Sequence, residues 1–353
     1  MNLWRWLGLS MLVLGTVCLI GTMEFSAYAG AKDKAPTEKS KEVVPQSVAK
    51  GALEFKAFDP ASYPKDKAVF YQEQWTETTQ KMKVLGQEVE QKQEQTFLIE
   101  WTIHEKEKDG TFVVTQKIIG VEMTINIGGN KITYSSKTPE ASQPKNPMTD
   151  FFAQLRKNPL KFYIKPDLTV IKIDGRDTFI KELGAINPQM QGLLNAILSE
   201  DALKKMAEPT WYAFPEKGVI PASNTWQKKS ELNLGPIGKY NTTFDFTHKK
   251  TEGAKDKEKD TIEIKTKLEY TAPADKAGLP FIIHSADLKT DSGTGTAIFD
   301  RTKGRFDSTE INMNLSGTLE IEVGSMKTKV DLNQKQTAKS TTTDDVPGAW
   351  KAK

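Results

Sequence analysis

The strongest constraint in this sequence is a two-residue period of apolar side chains, kept up over most of its length. Thr309, Ile311, Met313, Leu315, Gly317, Leu319 and Ile321 share one parity, with polar residues between every pair. Phe97, Ile99, Trp101 and Ile103 alternate in the same way, as do Tyr240, Thr242, Phe244 and Phe246, and Ile262, Ile264, Thr266, Leu268 and Tyr270. Successive side chains on a strand point to opposite faces, so the pattern predicts strands with one face on a core and one in water. Turn signals separate them at Leu85-Gly86, Asp109-Gly110, Gly128-Gly129-Asn130, Gly235 to Gly238, Arg301 to Gly304 and Gly324-Ser325. Neighbouring strands are therefore expected to pair antiparallel through hairpins.

Two details sharpen the expectation. Between Thr111 and Ile127, Phe112, Val114 and Ile118 lie on one parity and Val121, Met123, Ile125 and Ile127 on the other. The switch at Ile119-Gly120 predicts a β-bulge. The run from Thr309 to Ile321 would span about 43 Å at about 3.3 Å per residue. Strands of that length coil, so the sheet should form a curved wall or partial barrel.

Helical signals cluster between Asn146 and Met206. Asn146-Pro147 reads as an N-cap followed by proline in the first turn, and Asn187-Pro188 repeats the device. Met190, Leu193, Leu194, Ile197 and Leu198 then follow the spacing of an amphipathic helix. Burying those five side chains is worth on the order of 8–15 kcal/mol, so they need a partner surface, and the apolar face of the sheet is the one available. Ser199 reads as the cap of a further short helix carrying Leu203 and Met206, and a hairpin of Leu160 to Ile164 with Leu168 to Val170 sits between the helices.

The expected architecture is α+β: a large curved antiparallel sheet, half-barrel or open barrel, with a helical insert at 146–206. Four strands precede the insert and about six follow. One domain covers 59–335, flanked by a flexible tether at 30–58 and a polar tail at 336–353 whose one large apolar residue is Trp350. Residues 1–29 have the three-part pattern of a secretory signal peptide: Arg5, an uncharged run from Leu7 to Met23, and the small-residue site Ala27-Tyr28-Ala29. An uncleaved anchor is the alternative, and would supply the chain's membrane contact. Cys18, the only cysteine, lies in the apolar run after Val17, so lipid attachment there is not expected, and cleavage would leave 324 residues with no thiol. The expected address is the periplasm or cell envelope. The formal charge of +3, with 27% charged residues of mixed sign, shows no basic footprint for nucleic acid. The run Lys249 to Asp260 alternates in sign and reads as an exposed loop.

No residues gather into a catalytic or metal-binding motif. His104, His248 and His284 fall on separate predicted strands and read as surface residues rather than general bases or ligands. Ser47 to Lys50 and Ser142 to Lys145 fit Ser-x-x-Lys but lie in the tether and in a loop. Asp291-Ser292-Gly293-Thr294 matches half of an aspartic-protease site with no second copy, and reads as a turn. No cofactor loop is present, since Gly293-Thr294-Gly295 precedes a strand and not a helix. No catalytic, cofactor or metal residue is therefore assigned. The remaining lead is a curved sheet lidded by an apolar helix, with Met190, Leu194, Ile197, Trp101 and Phe244 as candidate lining of an apolar cavity.

The stretch Gly218 to Trp226, the run Gly293-Thr294-Gly295 through Phe299-Asp300 to Gly304-Arg305, and the strands from Ala68 onward resemble an exported bacterial family known as a domain of unknown function. The resemblance covers most of 65–335 and implies no activity. Long antiparallel strands with helices inserted mid-chain are also similar, at the level of fold and without any shared residues, to the half-barrel carriers of the LolA-like lipoprotein-chaperone group. The leading expectation is an exported non-enzymatic envelope protein that binds a lipid or other apolar or amphipathic ligand, or a protein partner. The alternatives are an envelope scaffold with a packed interior and a hydrolase using a carboxylate pair.

Overall fold

The computed structural model describes residues 52–64, 67–84, 86–143, 147–188, 191–274 and 282–351. Twelve strands form a single sheet in which every pairing is antiparallel, and the sheet does not close on itself. The strands are β1 (Val69–Val84), β2 (Gln87–Ile103), β3 (Phe112–Ile127), β4 (Asn130–Ser135), β5 (Leu160–Ile164), β6 (Val170–Asp174), β7 (Thr225–Asn233), β8 (Lys239–Glu252), β9 (Lys259–Thr271), β10 (Ile282–Asp300), β11 (Arg305–Val323) and β12 (Met326–Thr343). Across the sheet they run β6-β5-β3-β2-β1-β12-β11-β10-β9-β8-β7, with β4 beside β3. The chain thus makes two meanders, β1–β6 and β7–β12, joined in the middle of the sheet by the first strand pairing with the last.

The alternation places the faces as expected. On β11, Ile311, Met313 and Leu315 are buried while Asn312 and Asn314 are exposed. The predicted bulge is present: Leu98 pairs with Gly120 and Ile99 with Ile118, leaving Ile119 as the extra residue. A side chain at Gly120 would not fit there, because its Cβ would stand 2.6 Å from Cε3 of Trp350.

Four helices lie between β4 and β7: α1 (Pro147–Leu155), α2 (Arg176–Ile186), α3 (Gln191–Ile197) and α4 (Glu200–Ala207). Ser199 Oγ accepts from the Ala202 N–H at 3.2 Å, the expected cap of α4. Glu200 and Asp201 in the first turn of α4, with Lys204 and Lys205 in the last, match the helix dipole. Helix α3 buries Leu193, Leu194 and Ile197. Asn146 and Met190 lie outside the described residues, as do the signal segment and Ser47 to Lys50. Helix α4 packs against both β6 and β7, the two ends of the sheet, so the helical insert spans the gap between the open edges.

Four expectations are corrected. The tether does not reach residue 58: Leu53 N–H donates to Gly218 O at 2.7 Å and Lys56 N–H to Gly304 O at 2.8 Å. Phe58 is fully buried among Phe70, Trp101, Phe112 and Trp211, because a ring of that size gains more from the core than its short polar surroundings cost. The polar tail does not start at 336, since β12 continues to Thr343 and Trp350 folds back on the sheet, its Nε1–H donating to Glu73 at 2.5 Å. Asp291 to Thr294 is not a turn but lies inside β10, where the pairing slips between Thr290 and Ser292. The charged run is strand at both ends, with β8 reaching Glu252 and β9 beginning at Lys259, and Asp260 is fully buried.

Candidate functional site

The core face of the sheet is divided into two zones by chemistry. Toward one end Phe58, Phe70, Trp101, Phe162 and Trp211 stack or meet edge-on, with ring centroids between 5.3 and 6.4 Å apart. Below them the same face of β1, β2 and β12 turns polar. From Phe70 the inward positions of β1 run Gln72, Gln74, Thr76, Thr78 and Gln80 before returning to Met82. Strand β2 contributes Gln91, Gln93 and Gln95, and β12 contributes Gln334 and Gln336. The register sets these side by side: Thr78 lies between Gln93 and Gln336, and Gln80 between Gln91 and Gln334. Each of the ten is 7% exposed or less. Ile125 and Ile127 of β3 flank this belt on one side, and Met313 and Leu315 of β11 on the other.

Hydrogen bonds within the belt run from amide to amide. Gln74 Nε2 donates to Gln72 Oε1 at 2.9 Å, Gln93 Nε2 to Gln95 Oε1 at 3.1 Å, Gln80 Nε2 to Gln334 Oε1 at 2.6 Å, and Gln334 Nε2 to Gln336 Oε1 at 3.1 Å. Four carbonyl oxygens (Oε1 of Gln74, Gln80, Gln91 and Gln93) and the hydroxyls of Thr76 and Thr78 are buried with no protein partner. A buried polar atom left unmatched costs about 1–3 kcal/mol. Six of them kept dry would consume most of the stability of an ordinary domain, about 5–15 kcal/mol. The belt is therefore a surface that calls for donors. A groove of about 410 Å³ where β4 leaves β3 reaches Gln95 at the margin of the belt, beside Met123 and Tyr134.

The residues singled out from the sequence lie in the apolar core and not in the belt. Trp101 and Phe244 are buried, and Leu194 and Ile197 belong to the same continuous core. Phe244 packs on Tyr212 and Phe246. The glutamines and threonines were not singled out. Their signal in the sequence is a shared parity: three glutamines at 91, 93 and 95, and a Gln-Gln-Thr-Thr-Gln series at 72 to 80.

The titratable groups outside the belt are engaged in structure. His104 shares a 2.7 Å hydrogen bond with Thr115 Oγ1, and burial, with Lys161 nearby, lowers its pKa. His284 Nε2 meets Glu322 at 2.7 Å. His248 joins Asp260 at 2.8 Å, in a cluster where Arg301 donates from Nε at 2.7 Å and Nη2 at 2.8 Å, and Thr251 donates at 2.6 Å. Burial alone would push the Asp260 carboxyl up, but the donors from Arg301, Thr251 and His248 outweigh it and hold the pKa below the ordinary value. On β7, burial pushes the half-buried Lys228 down to about 8 against the pull of Glu208 and Glu216. Among the described residues no three His, Cys, Asp or Glu side chains converge in a way that could hold a metal ion.

A family model described as a family of unknown function (DUF6263) matches residues 109–345. No curated protein matches the chain. Among solved structures it is similar to lipovitellin, from work described as "lipid-protein interactions in lipovitellin", with 10% identity and a TM-score of 0.40 over 80% of this chain. It spans about a quarter, 26%, of that chain. It is also similar to OccK5 (OpdH) of Pseudomonas aeruginosa, with 7% identity, a TM-score of 0.20, and coverage of 78% of this chain and 98% of that one. Similarities of this size carry no argument about what the chain binds.

Proposed function

The chain belongs to a family of unknown function, DUF6263, and from that premise we propose that it is an exported, non-enzymatic protein of the cell envelope that holds an amphipathic ligand on the core face of its curved sheet. One observation carries this reading: an aromatic and aliphatic zone adjoins a belt in which six buried polar atoms lack protein donors. A purely apolar ligand would leave those atoms unmatched, and a purely polar one would gain nothing from the flanking Ile125, Ile127, Met313 and Leu315. The non-enzymatic part of the reading draws support from the three histidines, each of which sits in a strand with its ring tied to a neighbouring side chain. The address rests on the Ala27-Tyr28-Ala29 site.

Native mass spectrometry of the full chain, expressed in a bacterial host and released without detergent, tests the binding. An amphiphile that leaves only under denaturing conditions supports the reading. A bare mass together with no uptake of an apolar dye would overturn it. Fractionation tests the address, with an N-terminus at Gly30 in the periplasmic fraction as the expected result.

A further inference from the structure

We infer that the polar belt selects the head group of that ligand, and that it fits a neutral, hydroxyl-rich group such as a saccharide. The inference rests on the interior-ligand reading above and adds the chemistry of the recognised part. Three observations point the same way.

The first is the imbalance of donors and acceptors. The amide N–H groups of Gln74, Gln80, Gln93 and Gln334 already point to neighbouring glutamine oxygens. Each of these amides keeps a second N–H, but the buried belt atoms that meet no partner at all are four carbonyl oxygens and two hydroxyls. A group that brings several O–H donors matches this set, whereas an ester or ether does not.

The second is the absence of charge on the belt face. The inward positions of β1 from Gln72 to Gln80, of β2 from Gln91 to Gln95 and of β12 from Gln334 to Thr342 hold only Gln, Thr, Ser and Ala. The charges of these strands stand on the opposite parity, where Lys92 pairs with Glu77 at 2.7 Å and Lys339 with Glu310 at 3.1 Å. A phosphate or sulfate on the belt would face carbonyl oxygens, and no belt position supplies a cation; the buried Arg305 guanidinium, over the ring of Phe70, is paired with Asp344. A quaternary ammonium would leave water for dipoles that it cannot donate to.

The third is the spacing. Cross-strand neighbours in a sheet stand about 4.8 Å apart and i, i+2 neighbours about 6.6 Å. The neighbouring pairs Thr78–Gln93 and Gln80–Gln91 therefore present their unpartnered acceptors as a two-by-two grid. A polyol ring carries its hydroxyls around its rim and can meet several points of such a grid at once, which a single-donor head cannot.

The test compares three amphiphiles with the same twelve-carbon tail: dodecyl maltoside, dodecyl phosphocholine and dodecyl sulfate. Each is titrated below its micelle concentration into the delipidated full chain by calorimetry. Dodecyl maltoside should bind at least tenfold more tightly than the other two. In the variant Thr78→Val/Gln91→Met that preference should fall about tenfold while tail-dependent binding persists. Replacing unmatched polar atoms by apolar groups of similar shape does not weaken a core, so the melting temperature of the variant should not fall, and this separates lost recognition from lost folding. Equal binding of all three, or preference for a charged head, overturns the head-group inference and leaves the interior-ligand reading standing. No binding of any of the three, with no co-purifying amphiphile, overturns both.

Discussion

The cluster around Asp260 gives the sharpest stability test, because it joins the start of β9, the end of β8 and the turn before β11 through one buried carboxylate. Asp260 has no exposed side-chain surface, and Arg301, which is 23% exposed, supplies two of its four hydrogen bonds. Arg301→Ala removes the cation and leaves the carboxylate in place. Breaking a buried pair in this way costs about 3–5 kcal/mol, and the partial exposure of Arg301 places the expected loss near the lower end. For a domain of this size that is a fall in Tm of roughly 6–12 °C. The pH dependence follows from the direction of the shift. The folded-state pKa of Asp260 is depressed, so its stabilisation is fully present above the unfolded value of about 3.9 and is lost as pH falls through the lower folded value. Without Arg301 burial is opposed only by the donors of Thr251 and His248, so the carboxyl shifts upward and the variant gains less stability than the parent as pH rises. Urea unfolding at pH 3 to 7 should show the two proteins converging in acid and separating above about pH 4. A gap that is the same at pH 3 and pH 7, or below about 0.5 kcal/mol at pH 7, would refute the reasoning. The variant D260L/R301M should recover part of the loss, because an apolar pair of similar volume leaves no charge buried.

Three further outcomes are expected. Gly120→Ala should lower the melting temperature by forcing the Trp350 ring off the bulge, and in a Trp350→Ala background the same substitution should cost less, a coupling readable from a double-mutant cycle. Lys228, with its pKa lowered to about 8, should be acetylated faster at pH 8 than the exposed lysines, as followed by peptide mass spectrometry, and labelling no faster than theirs would contradict the lowered pKa. A fragment limited to residues 109–345 should fail to fold cooperatively in denaturant titration, since it lacks β1, β2 and the rings of Phe58, Phe70 and Trp101 on which Trp211 and Phe162 pack.

The same physical rule explains what could be read from the sequence and what could not. Wherever the buried face is apolar and the exposed face polar, the strand, its parity and even the slip at Ile119 are legible, because burial writes itself into composition. Strand β1 breaks that link. From Gln72 to Gln80 the inward face is only Gln and Thr and the outward face carries one apolar residue, Trp75, so no apolar alternation marks the strand, although its inward side chains are 7% exposed or less. The end of β12 reads as a tail for the same reason, with Gln336 and Thr342 buried in a segment that composition alone places in water. The candidate site was missed because it is made of those positions. The helical insert was legible through Ser199 and the Leu193, Leu194, Ile197 spacing, but its contact with both β6 and β7 depends on the curvature of the whole open sheet and leaves no local trace.

The seam between β1 and β12 also sets an order in time. Gln80 and Gln334 share a hydrogen bond across 254 positions of sequence, so the middle of the sheet cannot form until the twelfth strand has been synthesised. Until then the polar edge of β1 stays open, and each meander can only wait for the other. Contacts so distant in sequence make for slow folding. A chain that cannot finish its central pairing early would remain threadable for longer, and its last strand would decide when the whole sheet locks.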